Sequence, residues 1–85
     1  MAGEKQVVLL TGASGGIGRE TAILLAKTGF TVYGAARQWD KVNELSQYGV
    51  IPLQLDVTKP YSCEQALQQI LRQQGTLDIL INNAG

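Results

Sequence analysis

The chain has 85 residues, 45% of them apolar and 16% charged, with seven Lys and Arg against seven Asp and Glu. That length fits one small domain or part of a larger one, and the composition excludes a disordered chain. Zero net charge argues against a basic nucleic-acid binder or a polybasic membrane module. Gln6 to Leu10 is a short β-branched apolar run, which suits a strand buried on both faces. The segment after it holds four of the chain's ten glycines, between positions 12 and 18. From about Gly16 the period turns helical through Ile17, Thr21, Leu24, Leu25 and Thr28, with Gly29 as the stop. Phe30 to Ala36 reads as a second strand.

Trp39 to Tyr48 carries a shorter helical pattern through Val42 and Leu45, and Gly49 closes it. Val50 to Leu55 is a third strand, in which Pro52 must sit near the start or on an edge. Val57 to Pro60 is a loop. Ser62 with Gln65 three residues on has the form of a capping box. Ala66, Leu67, Ile70 and Leu71 then make one apolar stripe, ended by Gly75. Leu77 to Ile81 is a fourth strand, followed by Asn82-Asn83-Ala84-Gly85. The order β-α-β-α-β-α-β predicts an α/β, doubly wound parallel sheet with right-handed crossovers and strand order 3-2-1-4. Its ligand crevice falls between the first and fourth strands.

Further exclusions follow from residue types. Cys63 is the single cysteine and histidine is absent, so an internal disulfide, His-based metal sites and Ser-His or Cys-His catalysis are ruled out for these residues. A reducing, cytoplasmic setting is expected. Runs such as Val7-Val8-Leu9-Leu10 fall far short of the ~20 residues that span a bilayer, and the start is not read as a signal peptide.

The chemistry concentrates at strand ends. Thr11-Gly12-Ala13-Ser14-Gly15-Gly16-Ile17-Gly18 joins the first strand to the first helix. Glycines there permit a tight turn and close backbone approach, and a helix N-terminus offers N–H groups to a pyrophosphate. A glycine-rich turn that binds nothing is the competing reading, weakened by the strand-before, helix-after context. No Lys follows the last glycine, so this is not a phosphate-transfer loop.

The spacing Thr-Gly-x-x-x-Gly-x-Gly through Gly12, Gly16 and Gly18 resembles the short-chain dehydrogenase/reductase family. Through Gly15 the same residues also fit the extended relatives that act on nucleotide sugars. Asn82-Asn83-Ala84-Gly85 after the fourth strand resembles the ordinary short-chain enzymes and separates the two. The resemblance covers essentially the whole chain and implies the first half of a Rossmann-type domain, with residues 1–85 as its N-terminal part. It implies that Asn82 holds the central strands together, and that Asn83, Ala84 and Gly85 line the adenosine-ribose side of the cofactor site. It further implies that Asp56 accepts from the adenine amino group and that Val57 packs near the ring, an ordinary strand-end aspartate being the alternative. It also implies a homo-oligomeric full-length parent.

Arg37 bears on the cofactor subtype. NAD enzymes place a carboxylate at the end of the second strand for the ribose 2′-hydroxyl, whereas this chain has Ala35-Ala36-Arg37. A guanidinium grips phosphate with charge-assisted, bidentate hydrogen bonds. In the family a basic residue there goes with NADP(H) rather than NAD(H), and Ser14 often helps. A solvated surface Arg is the alternative. Asp40 lies too far into the next helix to be the ribose acid but is placed to pair with Arg37. Val32 to Arg37 also resembles members acting on steroid, retinoid or other hydroxyl and carbonyl groups. Trp39 and Cys63 read as structural.

No catalytic residue is assigned. The family needs Tyr-x-x-x-Lys, and Tyr33, Tyr48 and Tyr61 are followed at that spacing by Arg37, Pro52 and Gln65. The expected chain therefore carries the adenosine and pyrophosphate part of an NADP(H)-dependent short-chain oxidoreductase. A stand-alone nucleotide-binding module and a non-functional remnant are the other readings. No metal site is expected.

Overall fold

A computed structural model describes residues 5–83. β1 (Val7–Thr11), α1 (Gly16–Thr28), β2 (Thr31–Ala36), α2 (Trp39–Asn43) and a 3₁₀ helix (Glu44–Tyr48) are followed by β3 (Ile51–Gln54), α3 (Pro60–Gln74) and β4 (Ile79–Ile81). The sheet is wholly parallel with order β3-β2-β1-β4, as the sequence pattern predicts. Strand alternation sorts the core into two layers. Val8, Leu10, Val32 and Ala36 face Ala22 and Ile23 of α1 together with Val42 and Leu45. Val7, Leu9, Tyr33 and Ala35 face Ala66 and Ile70 of α3. Every residue of β1 is buried, which explains why its sequence is continuously apolar rather than alternating.

Several local expectations are corrected. The buried face of α1 is Gly18, Ala22 and Ile23, while Ile17 and Leu24 are exposed. Small residues let the helix axis lie close to the sheet, and that close approach selects them over the larger stripe. The second helix is broken, because its last five residues tighten to 3₁₀ geometry. Val42 and Leu45, three apart and both fully buried, stack on one side of a three-residue turn. Ser62 is not an N-cap: Lys59 holds that position without a side-chain cap, and Pro60 opens α3, its fixed φ suiting the first helical turn. Gln65 donates to the Tyr61 hydroxyl instead of closing a capping box.

β4 begins two residues later than expected. Asp78 explains the delay, since its carboxylate accepts from the Val7 N–H at 2.8 Å while its own N–H donates to the Val7 carbonyl at 3.0 Å. A side chain thus takes one rung of the ladder. Pro52 lies in β3, an edge strand, where its missing N–H costs no sheet bond. Gly29, Gly49 and Gly75 all end helices with positive φ, as the stop signals require.

Candidate functional site

The carboxyl ends of β1, β2 and β3 open onto a cleft of about 320 Å³. It brings together five residues singled out in the sequence: Gly12, Ser14, Arg37, Asp56 and Val57. They come from three separate strand ends, so only the parallel sheet makes them neighbours.

The glycine loop is held from two sides. Gly12 and Gly16 have φ of 70° and 60°, a region that side chains resist. The Ala13 N–H donates to the Ala35 carbonyl at 3.0 Å, anchoring the loop to β2. A Cβ on Gly18 would collide with the Gly12 carbonyl oxygen and stand 2.5 Å from Asn83 Nδ2. This glycine is therefore required by close helix–strand packing. Gly15 and Gly16 face the opposite situation, with nothing within 4 Å of an added Cβ. That open space lies at the start of α1, whose N-cap Gly15 supplies no side-chain cap and whose first turn carries no acidic residue. The first helical N–H groups have no partner within the helix, and a pyrophosphate fits both the room and the donors. Ile17 stands in that first turn with its side chain 80% exposed.

Asn82 and Asn83 close the other side. The Thr11 hydroxyl donates to Asn82 Oδ1 at 2.9 Å and accepts from the Asn83 N–H at 3.0 Å. Asn83 Nδ2 donates to the Gly12 carbonyl at 3.3 Å. Asn82 therefore ties β4 to β1, as the resemblance implies. Asn83 thus reaches the glycine loop. Ala84 and Gly85 lie outside the described residues. Sequence reasoning missed the part played by the Thr11 side chain. Its signal was a hydroxyl residue ending an otherwise apolar buried strand.

Asp56 is positioned by a short turn. Its Oδ1 accepts from the Thr58 N–H at 3.0 Å and the Thr58 hydroxyl at 2.6 Å. Its own N–H donates to Ser62 Oγ at 3.0 Å. The two Thr58 bonds hold the carboxyl below the usual carboxylate range, aided more weakly by the charges of Arg37 and Lys59. The group is thus an ionised acceptor at neutral pH, suited to an amino group of a base. Arg37 is exposed just beyond β2, and its carbonyl accepts from Gln54 Nε2 at 3.0 Å. The ion pairs among the described residues belong to Arg19, with Glu20 and Glu44, and Arg37 and Asp40 form none with each other. Trp39 opens α2 half-exposed. Cys63 packs its sulfur against the carbonyls of Asp56 and Val57. No cluster suited to a metal ion occurs among the described residues.

The short chain dehydrogenase family model matches residues 6–85. The chain belongs to the short-chain dehydrogenase family. It is 41% identical, over 96% of its length, to a 3-ketodihydrosphingosine reductase of Bacteroides thetaiotaomicron, covering 29% of that protein. It is 40% identical, over 94% of its length, to an NADPH-dependent pterin aldehyde reductase of Arabidopsis thaliana, covering 35% of it. An actinorhodin polyketide ketoreductase solved with NADPH superposes with a TM-score of 0.87 at 33% identity, over 99% of this chain and 34% of that one. The chain thus spans about a third of the length of the relatives it matches. Short-chain dehydrogenases are oxidoreductases that use a nicotinamide dinucleotide. No helix among the described residues is long and apolar enough to cross a membrane.

Proposed function

We propose that residues 1–85 form the N-terminal part of one dinucleotide-binding domain, and that they hold the adenosine and pyrophosphate of NADP(H) for a short-chain oxidoreductase. The bound cofactor supplies hydride exchange with an alcohol or carbonyl group. The residues of this chain bind and orient it. Gly12, Gly15, Gly16, Ile17 and Gly18 present backbone to the pyrophosphate, and Asp56 with Val57 receives the adenine. Asn83, Ala84 and Gly85 bound the ribose side, Asn83 by bracing the glycine loop. No group here is assigned to the proton transfer, because none of the three tyrosines has a lysine four residues on.

The observation that carries the preference for NADP(H) is Arg37, which follows β2 and lines the cleft together with Ser14. A carboxylate at that place would bond a free 2′-hydroxyl and repel a 2′-phosphate. A guanidinium does the reverse. The NADPH-dependent relative and the NADPH-bound ketoreductase support the same choice. Calorimetric titration with NADPH and NADH tests it. NADPH is expected to bind more tightly, and Arg37→Ala to weaken NADPH by ~10–100-fold, the worth of a charge-assisted hydrogen bond, with NADH little changed. Equal affinities of parent and variant for NADPH would refute it.

A further inference from the structure

β2 reaches α2 through a connection of two residues, Arg37 and Gln38. The backbone carbonyls along this stretch are held one after another. The Ala35 carbonyl accepts from the Ala13 N–H at 3.0 Å, and the Ala36 carbonyl from the Leu55 N–H at 2.9 Å. The Gln38 carbonyl accepts from the Lys41 and Val42 N–H groups, both at 3.2 Å, as α2 begins. Between them the Arg37 carbonyl is held by a side chain, accepting from Gln54 Nε2 at 3.0 Å. Gln54 is the last residue of β3 and stands opposite Ala36 in the sheet. Its side chain thus adds one rung where the backbone ladder of β2 and β3 ends. The rest of the connection has little to fix it. Gln38, the N-cap of α2, is extended and makes no side-chain cap. Arg37 lines the cleft and is exposed, and its guanidinium forms no ion pair among the described residues. The guanidinium therefore takes its direction from the Arg37 backbone, and the Gln54 bond fixes the peptide group that follows.

We propose that Gln54 is a positioning residue for nucleotide selection, acting through the Arg37 carbonyl to hold the guanidinium at the cleft. The inference rests on the NADP(H) reading and adds the residue that prepares Arg37 for its ligand. A planar guanidinium bonds two oxygens of a phosphate only within a narrow range of orientations. A backbone already held in the binding conformation loses less freedom when the ligand arrives. Gln54 is exposed on an edge strand, so its bond contributes little to stability and mainly sets the course of the connection.

Calorimetric titration of the full chain with adenosine 2′,5′-bisphosphate and adenosine 5′-monophosphate tests this in a double-mutant cycle. Gln54→Met keeps the length of the side chain and removes its donor. It is expected to weaken the bisphosphate roughly 3–10-fold, the worth of one hydrogen bond, and to leave the monophosphate unchanged. In an Arg37→Ala background the same substitution should change neither nucleotide, because Gln54 acts through Arg37. The carbonyl-carbon NMR shift of Arg37 should move upfield in Gln54→Met while the urea midpoint of the parent is retained. The inference is overturned if Gln54→Met leaves bisphosphate binding intact, or weakens both nucleotides equally with a lowered urea midpoint, the mark of a purely structural role. It also falls if the loss persists in the Arg37→Ala background, which would make Gln54 a direct contact. Should Arg37→Ala lose the bisphosphate selectively while Gln54→Met does not, this inference fails and the NADP(H) reading stands. Should Arg37→Ala leave the bisphosphate unchanged, the NADP(H) reading fails and takes this inference with it.

Discussion

The absence of a Cβ at Gly18 lets α1 approach the end of β1. An alanine there would meet the Asn83 side-chain amide and the Gly12 carbonyl oxygen, and the carbonyl cannot yield without moving the loop. Gly18→Ala is expected to cost about 1–2 kcal/mol, overpacking outweighing the ~1 kcal/mol gained in helix propensity, and to abolish nucleotide binding. Gly15→Ala is the control. Its backbone is extended at φ −173° and its Cβ would meet nothing, so stability should stay within ~0.5 kcal/mol. Urea denaturation checks both. Asp56 carries a pH signature. Its folded pKa lies below the ordinary value because of Thr58. Its contribution to stability is therefore full above the unfolded value of ~3.9 and is lost as pH falls through the folded value. Thr58→Val removes the shorter of the two bonds, so the carboxyl midpoint should rise. A carboxyl-carbon NMR titration reads this directly, and an unmoved midpoint would contradict the assignment.

Between elements, the junction of β1 and β4 depends on few groups. β4 has three residues, too short a strand to hold by ladder bonds alone. Thr11 at one end and Asp78 at the other fasten it to β1. Thr11 is buried, so replacing its hydroxyl by a methyl leaves Asn82 and the Asn83 N–H without that partner. Thr11→Val should lower stability by ~1–3 kcal/mol and speed amide exchange at Asn83. Thr11→Ser should retain most of both. On the far side of the sheet, Arg19 links α1 to the 3₁₀ helix, bonding Glu44 at 2.8 Å and lying 5.3 Å over the Tyr48 ring. Exposed pairs of this kind contribute little, and the fully buried Val42 and Leu45 hold that segment in place.

Across the whole molecule, the sheet is unevenly covered. β3 ends one edge with a proline and a short span. β4 ends the other with an exposed apolar residue, Leu80 at 62% exposure, which shares a hollow with the half-exposed Leu67 of α3. An apolar edge of this kind promotes association. Sedimentation of the 85-residue chain should show concentration-dependent self-association at micromolar levels. Leu80→Lys should shift it toward monomer with little change in the urea midpoint. A parent chain that is monomeric throughout would refute this.

The sequence by itself determined the element order, the parallel topology and the family, because these rest on local periodicity and on glycines that backbone geometry demands. It also singled out five of the ten residues that line the cleft, Gly12, Ser14, Arg37, Asp56 and Val57, because each lies at or just after a strand end. It misjudged what depends on distant partners. The buried face of α1 follows from how closely Gly18 and Ala22 bring the helix to the sheet, which helical spacing does not encode. Ser62 resembled a cap by spacing, yet Pro60 starts the helix earlier and leaves the Ser62 hydroxyl to receive the Asp56 N–H. The linkage of Thr11, Asn82, Asn83 and Gly12 spans about seventy residues of chain and arises only once β1 and β4 lie side by side. Likewise, Arg37 and Gln54 are 17 residues apart and share a hydrogen bond because β2 and β3 end at the same level. Tertiary structure decided these points because hydrogen-bond partners and open space are set by proximity in the fold rather than by spacing along the chain.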